Sequence, residues 1–235
     1  MRERAGRILG ELAVIVVGVL IAFQVDQWND RRQDSAAERR QLQALQADFE
    51  VNESRLRSSV QRQRRTLDAI GVLIRIHEGR ESAPTPDSAA ALVVQANLFS
   101  RFENVSGAYD ALVSSGDIGL VGSADLRAAL ASFASAAGDG YEDVGMADDV
   151  HVELLAYMSR FIPLWHVLPE TYTENLGVDA VAEEVDFARL YGDREFLSLL
   201  TTAAILETNH LRYFERLLGR TEAISELIER DLASR

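Results

Sequence analysis

The spacing Glu207-x-x-His210 offers the most direct chemistry in the chain. Residues three apart share one face of a helix. Two such pairs with two further glutamates hold a di-iron centre inside a four-helix bundle. This chain has one pair and no second. His210 also falls on an apolar stripe, where a hydrogen-bonded core histidine is the commoner occupant. A second group, Asp148, Asp149, His151 and Glu153, has the right side chains for a metal. Helical spacing, however, spreads Asp148, Asp149 and His151 around the helix and not along one face. His77 and His166 stand apart from both groups. With no Cys, disulfides, thiolate metal sites and Cys nucleophiles are excluded. There is no Gly-x-Ser-x-Gly and no dinucleotide fingerprint. SSGDIGLVGS (114–123) lacks the Gly-Lys-Ser/Thr end of a P-loop. Asn52-Glu-Ser54 and Asn104-Val-Ser106 match the glycosylation sequon and are read as chance. The expectation is a protein with no catalytic residue, no metal and no cofactor, hence not an enzyme.

Charge narrows the partners. The net charge is −13, and all 24 basic residues are Arg. An acidic chain repels nucleic acid phosphates, so no nucleic acid partner is expected. Arg55, Arg57, Arg62, Arg64 and Arg65 crowd one stretch. A lipid-binding patch is disfavoured by distance. Arg62 lies 39 residues past Phe23, about 58 Å along a straight helix, while charges are screened over about 8–10 Å. These arginines read as a solvated face that pairs with acidic residues elsewhere.

The elements that must position these residues are helices. Residues 35–78 hold no Pro and one Gly, Gly71. Leu42, Leu45, Phe49, Leu56, Val60, Leu67, Ile70 and Ile74 recur there at helical spacing. Asp193 is placed to cap a second long helix over 193–233, with a stripe from Phe196 and Leu200 to Phe214, Leu217, Ile224 and Ile228. Between them, GRESAPTPDS (79–88) reads as a linker. A helix is predicted from Asp87 or Ser88 to Arg101, and a short one over Asn104–Ser115. Ser123 reads as the N-cap of another, bending at Gly138 and Gly140 and resuming to Pro163. Residues 164–192 mix short helices and loops. The predicted fold class is all-α: an N-terminal transmembrane helix, then a long-helix antiparallel stalk or bundle, with a smaller helical head over 86–192 at its far end.

The predicted anchor follows a short tail, 1–7, and covers 8–28; the soluble helical domain is 29–235. Ile8–Val25 is 18 residues, spanning roughly 27 Å as a helix, close to a bilayer's hydrocarbon thickness. A cleaved signal peptide fits less well, because FQVDQWNDRR lacks a small-x-small cleavage pattern. Glu11, Ile15, Gly18, Ala22 and Val25 share one helical face, with Gly18 and Ala22 as a small-xxx-small pair; they are the predicted packing residues. Glu11 reads either as a carboxylate eased by the helix dipole or as a polar contact to a partner helix. Trp28 is the predicted interfacial aromatic. A short basic tail before the span favours the N-terminus inside and the domain outside the cytoplasm.

The segment GELAVIVVGVLIAFQVDQWNDRR resembles the opening of a family of bacterial single-span membrane proteins known only as a domain of unknown function. There a Gly-Glu pair leads an apolar span that closes in a Gln-x-x-x-Trp-Asn type sequence; Gly10, Glu11, Gln24, Trp28 and Asn29 match. LQALQADFEVNESRL, AYDALVSSGDIGLVGSADLRAAL (108–130) and DREFLSLL (193–200) resemble later segments of that family more loosely. The resemblance implies a single-span membrane protein and carries no catalytic residue across. The predicted function is therefore a non-enzymatic, membrane-anchored accessory or scaffold protein of a bacterial inner membrane, with its soluble domain on the periplasmic side. Its expected partners are the lipid bilayer and other transmembrane subunits, or a second copy of itself. The alternative is an extracytoplasmic sensory or ligand-binding module working with a separate signalling partner.

Overall fold

Two heptad seams organise the molecule. On the first helix, α1 (Arg2–His77), the buried residues include Glu38, Leu42, Leu45, Phe49, Asn52, Leu56, Ser59, Gln63, Thr66, Ile70 and Leu73. Their steps alternate four and three, the 3.5-residue period of helices that wrap around a neighbour. The last helix, α7 (Arg194–Ala233), repeats the pattern through Phe196, Leu200, Ala203, Glu207, His210, Phe214, Leu217, Thr221, Ile224 and Ile228. In the computed structural model the two run antiparallel. Arg57 meets Glu222 and Arg64 meets Glu215, each at 2.7 Å, so one helix descends as the other climbs. The structure describes residues 2–139, 141–163 and 185–234, with side chains from Leu20 onward apart from those of 87, 139 and 141–144.

Every regular element among the described residues is helical. Between the long helices come α2 (Pro86–Ala96), α3 (Gly107–Ser115), a 3-10 turn (Asp117–Leu120), α4 (Ala124–Asp139), α5 (Tyr141–Met158) and α6 (Phe187–Tyr191). Local chemistry sets the ends. Pro86 stands in the first turn of α2, where its missing N–H costs nothing. Gly116 closes α3 at φ +78°, a left-handed conformation open to glycine. Ser123 Oγ accepts from Leu126 N at 3.2 Å, the predicted cap of α4. Asp193 Oδ1 accepts from Glu195 N at 2.8 Å and Phe196 N at 3.0 Å, the predicted cap of α7.

One predicted boundary is wrong. The helix expected to reach Arg101 stops at Ala96, and residues 97–106 run as non-helical chain. Polar members of the α1 seam take up their backbone groups. Thr66 Oγ1 donates to Leu98 O at 2.7 Å. Asn52 clamps Val105 twice, donating to its carbonyl at 2.7 Å and accepting from its N–H at 2.8 Å. Asp48 accepts from Ala108 N at 2.7 Å, which caps α3, and Glu38 accepts from Gly122 N at 2.7 Å. A backbone supplied this way has no need of a helix to satisfy it.

The head expected at the far end also needs correction. The middle helices lie along the α1–α7 pair in two tiers. The lower tier packs Leu112, Val121, Leu126, Leu130 and Phe133 against Leu42–Val60 of α1 and Phe214–Ile228 of α7. The upper tier packs α2, α5 and α6 against Ala69–Leu73 and Phe196–Ala203. Two helices alone cover only one stripe of each other, and the short amphipathic helices bury what remains. Ahead of the bundle α1 continues without a break as a free arm. Its described side chains from Leu20 to Ala36 are exposed, apart from half-buried Gln27. No helix among the described residues is long and apolar enough to cross a membrane.

Candidate functional site

Polar residues interrupt both seams at the same height, between the two apolar tiers. Gln63 of α1 and Glu207 and His210 of α7 stand there, joined by His151 from α5. His151 Nε2 lies 2.5 Å from Glu207 Oε1, with the two side chains 3% and 0% exposed. A single proton must sit in that contact. Which of the two atoms carries it depends on the tautomer of the ring. His151 Nδ1 is 3.3 Å from Asn97 Oδ1, and the Phe99 ring stacks on the imidazole at 5.3 Å. Gln63 Nε2 donates to the Glu207 carbonyl at 3.1 Å. Glu207 Oε2, Gln63 Oε1 and both ring nitrogens of His210 have no hydrogen-bond partner among the described residues. The His210 ring stacks on Phe214 at 6.0 Å. Unpaired buried polar atoms cost about 1–3 kcal/mol each, so this layer weakens the helix pair locally.

Glu207 and His210 thus sit on the seam as their spacing predicts, but His210 is not the hydrogen-bonded core histidine expected. His151 leaves its acidic neighbours. Asp148 pairs with Arg101, while Asp149 and Glu153 face solvent. No three His, Cys, Asp or Glu among the described residues gather closely enough to hold a metal ion. His166 lies outside the described residues, as do the side chains of Glu11, Ile15 and Gly18. Ala22, Val25 and Trp28 are exposed on the α1 arm, with the Arg32 guanidinium 5.5 Å from the Trp28 ring centroid. Asn52 is fully buried, which removes it as a glycan acceptor.

A second polar junction ties α5 to α7. Tyr157 Oη donates to Asp193 Oδ1 at 2.7 Å. The Phe196 N–H and the Tyr157 hydroxyl, followed by the Glu195 N–H, hold the Asp193 carboxyl below the usual carboxylate range. The same bond pushes the Tyr157 phenol up to about 12. Burial alone pushes Tyr191 up to about 12.

A scan for apolar periodicity passes over Asn52, Ser59, Gln63 and Thr66, because none is apolar. The signal that would find them is the alternation of four and three continuing unbroken through their positions. The arginine row divides. Arg57 and Arg64 meet glutamates of α7 as predicted, whereas Arg55 and Arg62 do not. No family model matches this chain, and no curated protein and no solved structure matches it either.

Proposed function

We propose that the protein is a non-enzymatic accessory or scaffold protein of a bacterial inner membrane. Residues 8–28 would anchor it there, with the bundle on the periplasmic side. Its partners would be other transmembrane subunits or a second copy, engaged through Glu11, Ile15, Gly18, Ala22 and Val25. One observation carries this reading. The α1 arm presents Leu20, Ile21, Phe23, Val25 and Trp28 at 56–61% exposure. Apolar surface in such a row is unfavourable in water at about 25 cal/mol per Å², and contiguous exposed patches of this kind mark membrane or protein contacts. Trp28, with Arg32 over its ring, suits the level of lipid headgroups. The closed polar layer supports a structural role, since no solute reaches His151 or Glu207 from outside. The likeness of Gly10, Glu11, Gln24, Trp28 and Asn29 to the single-span family points the same way.

Fractionation and copurification test the reading together. The full chain is expected in alkali-washed membranes, and deletion of residues 1–28 is expected to release it. Gentle solubilisation should bring down a partner or a second copy, and Gly18→Leu should lose that partner while the chain stays in the membrane. A full chain found in the soluble fraction, or a strictly monomeric and partner-free species, sinks the proposal.

A further inference from the structure

Arg55 and Arg62 are seven residues apart, two turns and roughly 10.5 Å along one face of α1. Arg57 and Arg64 have the same separation but are offset by two residues, about 200° around the helix. That second pair faces α7 and is met by Glu222 and Glu215. The first pair has no carboxylate partner among the described residues. Arg55 Nη1 donates to the Glu103 carbonyl at 2.9 Å. Arg62 Nε donates to Ser100 Oγ at 3.3 Å and its Nη2 to Ser59 Oγ at 3.1 Å. Both guanidiniums line an open groove of about 310 Å³ between α1 and the chain at 101–103. Ser54, Ser58, Ser59, Arg101 and Glu103 complete its walls. Arg101 is already engaged by Asp148 and lies over the Phe99 ring.

The chain has 37 acidic residues and a net charge of −13. Among the described residues neither guanidinium is ion-paired with a carboxylate, although Glu103 lines the same groove. Counting the three arginines against Glu103 and the Arg101-bound Asp148, the groove keeps an excess of one positive charge, a focus for an anion on an otherwise repelling surface. A guanidinium has five N–H donors, so Arg55 and Arg62 retain most of theirs, and the Ser54 and Ser58 hydroxyls stand beside them. The lining thus offers donors from two guanidinium forks and two hydroxyls. That suits a tetrahedral group with three terminal oxygens better than a planar carboxylate, which one fork satisfies.

We propose that this groove binds the phosphoryl group of a small soluble ligand. The source is soluble because Arg62 lies about 58 Å along α1 from Phe23, far beyond the reach of headgroups around an N-terminal anchor. The groove itself is independent of the membrane reading, whereas the choice of a soluble source over a lipid headgroup rests on it, and the lipid arm of the test separates the two.

Calorimetric titration of the detergent-solubilised full chain tests it, with inorganic phosphate and pyrophosphate as probes and citrate as the carboxylate comparator. Vesicles containing phosphatidic acid form the lipid arm. Saturable binding of pyrophosphate is expected, weakened about tenfold or more in Arg55→Gln/Arg62→Gln. It should be unchanged in Arg57→Gln/Arg64→Gln. Loss of Arg55 and Arg62 also removes bonds that hold the 100–103 chain. A second variant, Ser54→Leu/Ser58→Leu, therefore fills the groove while keeping both arginines, and it is expected to abolish binding with the melting temperature unchanged. No saturable binding by either phosphate overturns the proposal. So does equal binding by wild type and both groove variants, citrate binding as tightly as pyrophosphate, or binding to phosphatidic acid vesicles alone.

Discussion

His151 and Glu207 form a contact in which each side chain is the other's main compensation for burial. Glu207 Oε2 has no hydrogen bond among the described residues, so removing the imidazole leaves the carboxyl without its one partner there. His151→Ala is therefore expected to cost about 3–5 kcal/mol in urea unfolding. Glu207→Gln keeps a hydrogen-bonding group opposite His151 and should cost clearly less; equal losses would show that the two do not act as a pair. Asp193 and Tyr157 make a pH prediction of two signs. The Asp193 carboxyl is held low, so its contribution is present above the ordinary carboxylate pKa near 3.9 and is lost as pH falls through the lowered value. Tyr157 is pushed up to about 12, so its contribution is present below its ordinary value of about 10 and is lost as pH rises toward 12. Thermal melts across pH should show Asp193→Asn flattening the acid limb and Tyr157→Phe flattening the alkaline limb. The Asp193 cap was legible from its place before an apolar stripe. Its bond to Tyr157 was not, because the two lie on different helices.

At the level of elements, the long helices were legible because long Pro-free stretches with apolar residues three and four apart have few other solutions. The α7 boundary at Asp193 held for that reason. The stretch at 97–106 failed because its backbone partners sit 53 and 32 residues earlier, on Asn52 and Thr66, and no local pattern announces them. Gly219 tests how far α7 relies on intrinsic helix preference. It stands mid-helix and exposed, and a Cβ built there meets nothing within 4 Å. Gly219→Ala should raise stability by about 0.5–1 kcal/mol, read as a rise of roughly 1–4 °C in melting temperature. A fall would show that intrinsic helix preference does not limit α7 at this position.

For the whole molecule, the polar layer sets the register of the helix pair. A slip of one heptad along α1 would replace Gln63 with Leu56 or Ile70, and the bond from Gln63 Nε2 to the Glu207 backbone carbonyl would be lost. Polar seam residues fix pairing in this way at a cost in stability. Replacing Gln63, His151, Glu207 and His210 together with leucine or methionine is accordingly expected to leave stability unchanged or higher, in contrast to His151→Ala alone. Denaturant midpoints and the oligomeric state would read this. A joint variant as unstable as the single one would show that the layer holds the tiers together and does not merely align them.

The sequence by itself determined the helical class, the two long helices, the capping at Ser123 and Asp193, and the acidic charge. It also isolated the apolar N-terminal stretch on which the proposed membrane role rests. These are short-range properties: periodicity, capping and composition act within a few turns. Only the tertiary structure decided that the middle helices flank the pair in two tiers, that His151 reaches Glu207, and that Arg55 and Arg62, among the described residues, form no ion pair with a carboxylate while Arg57 and Arg64 do. Each of those depends on which faces meet across 38 to 165 residues of chain. Polar seam residues are silent to a reading that looks for apolar ones.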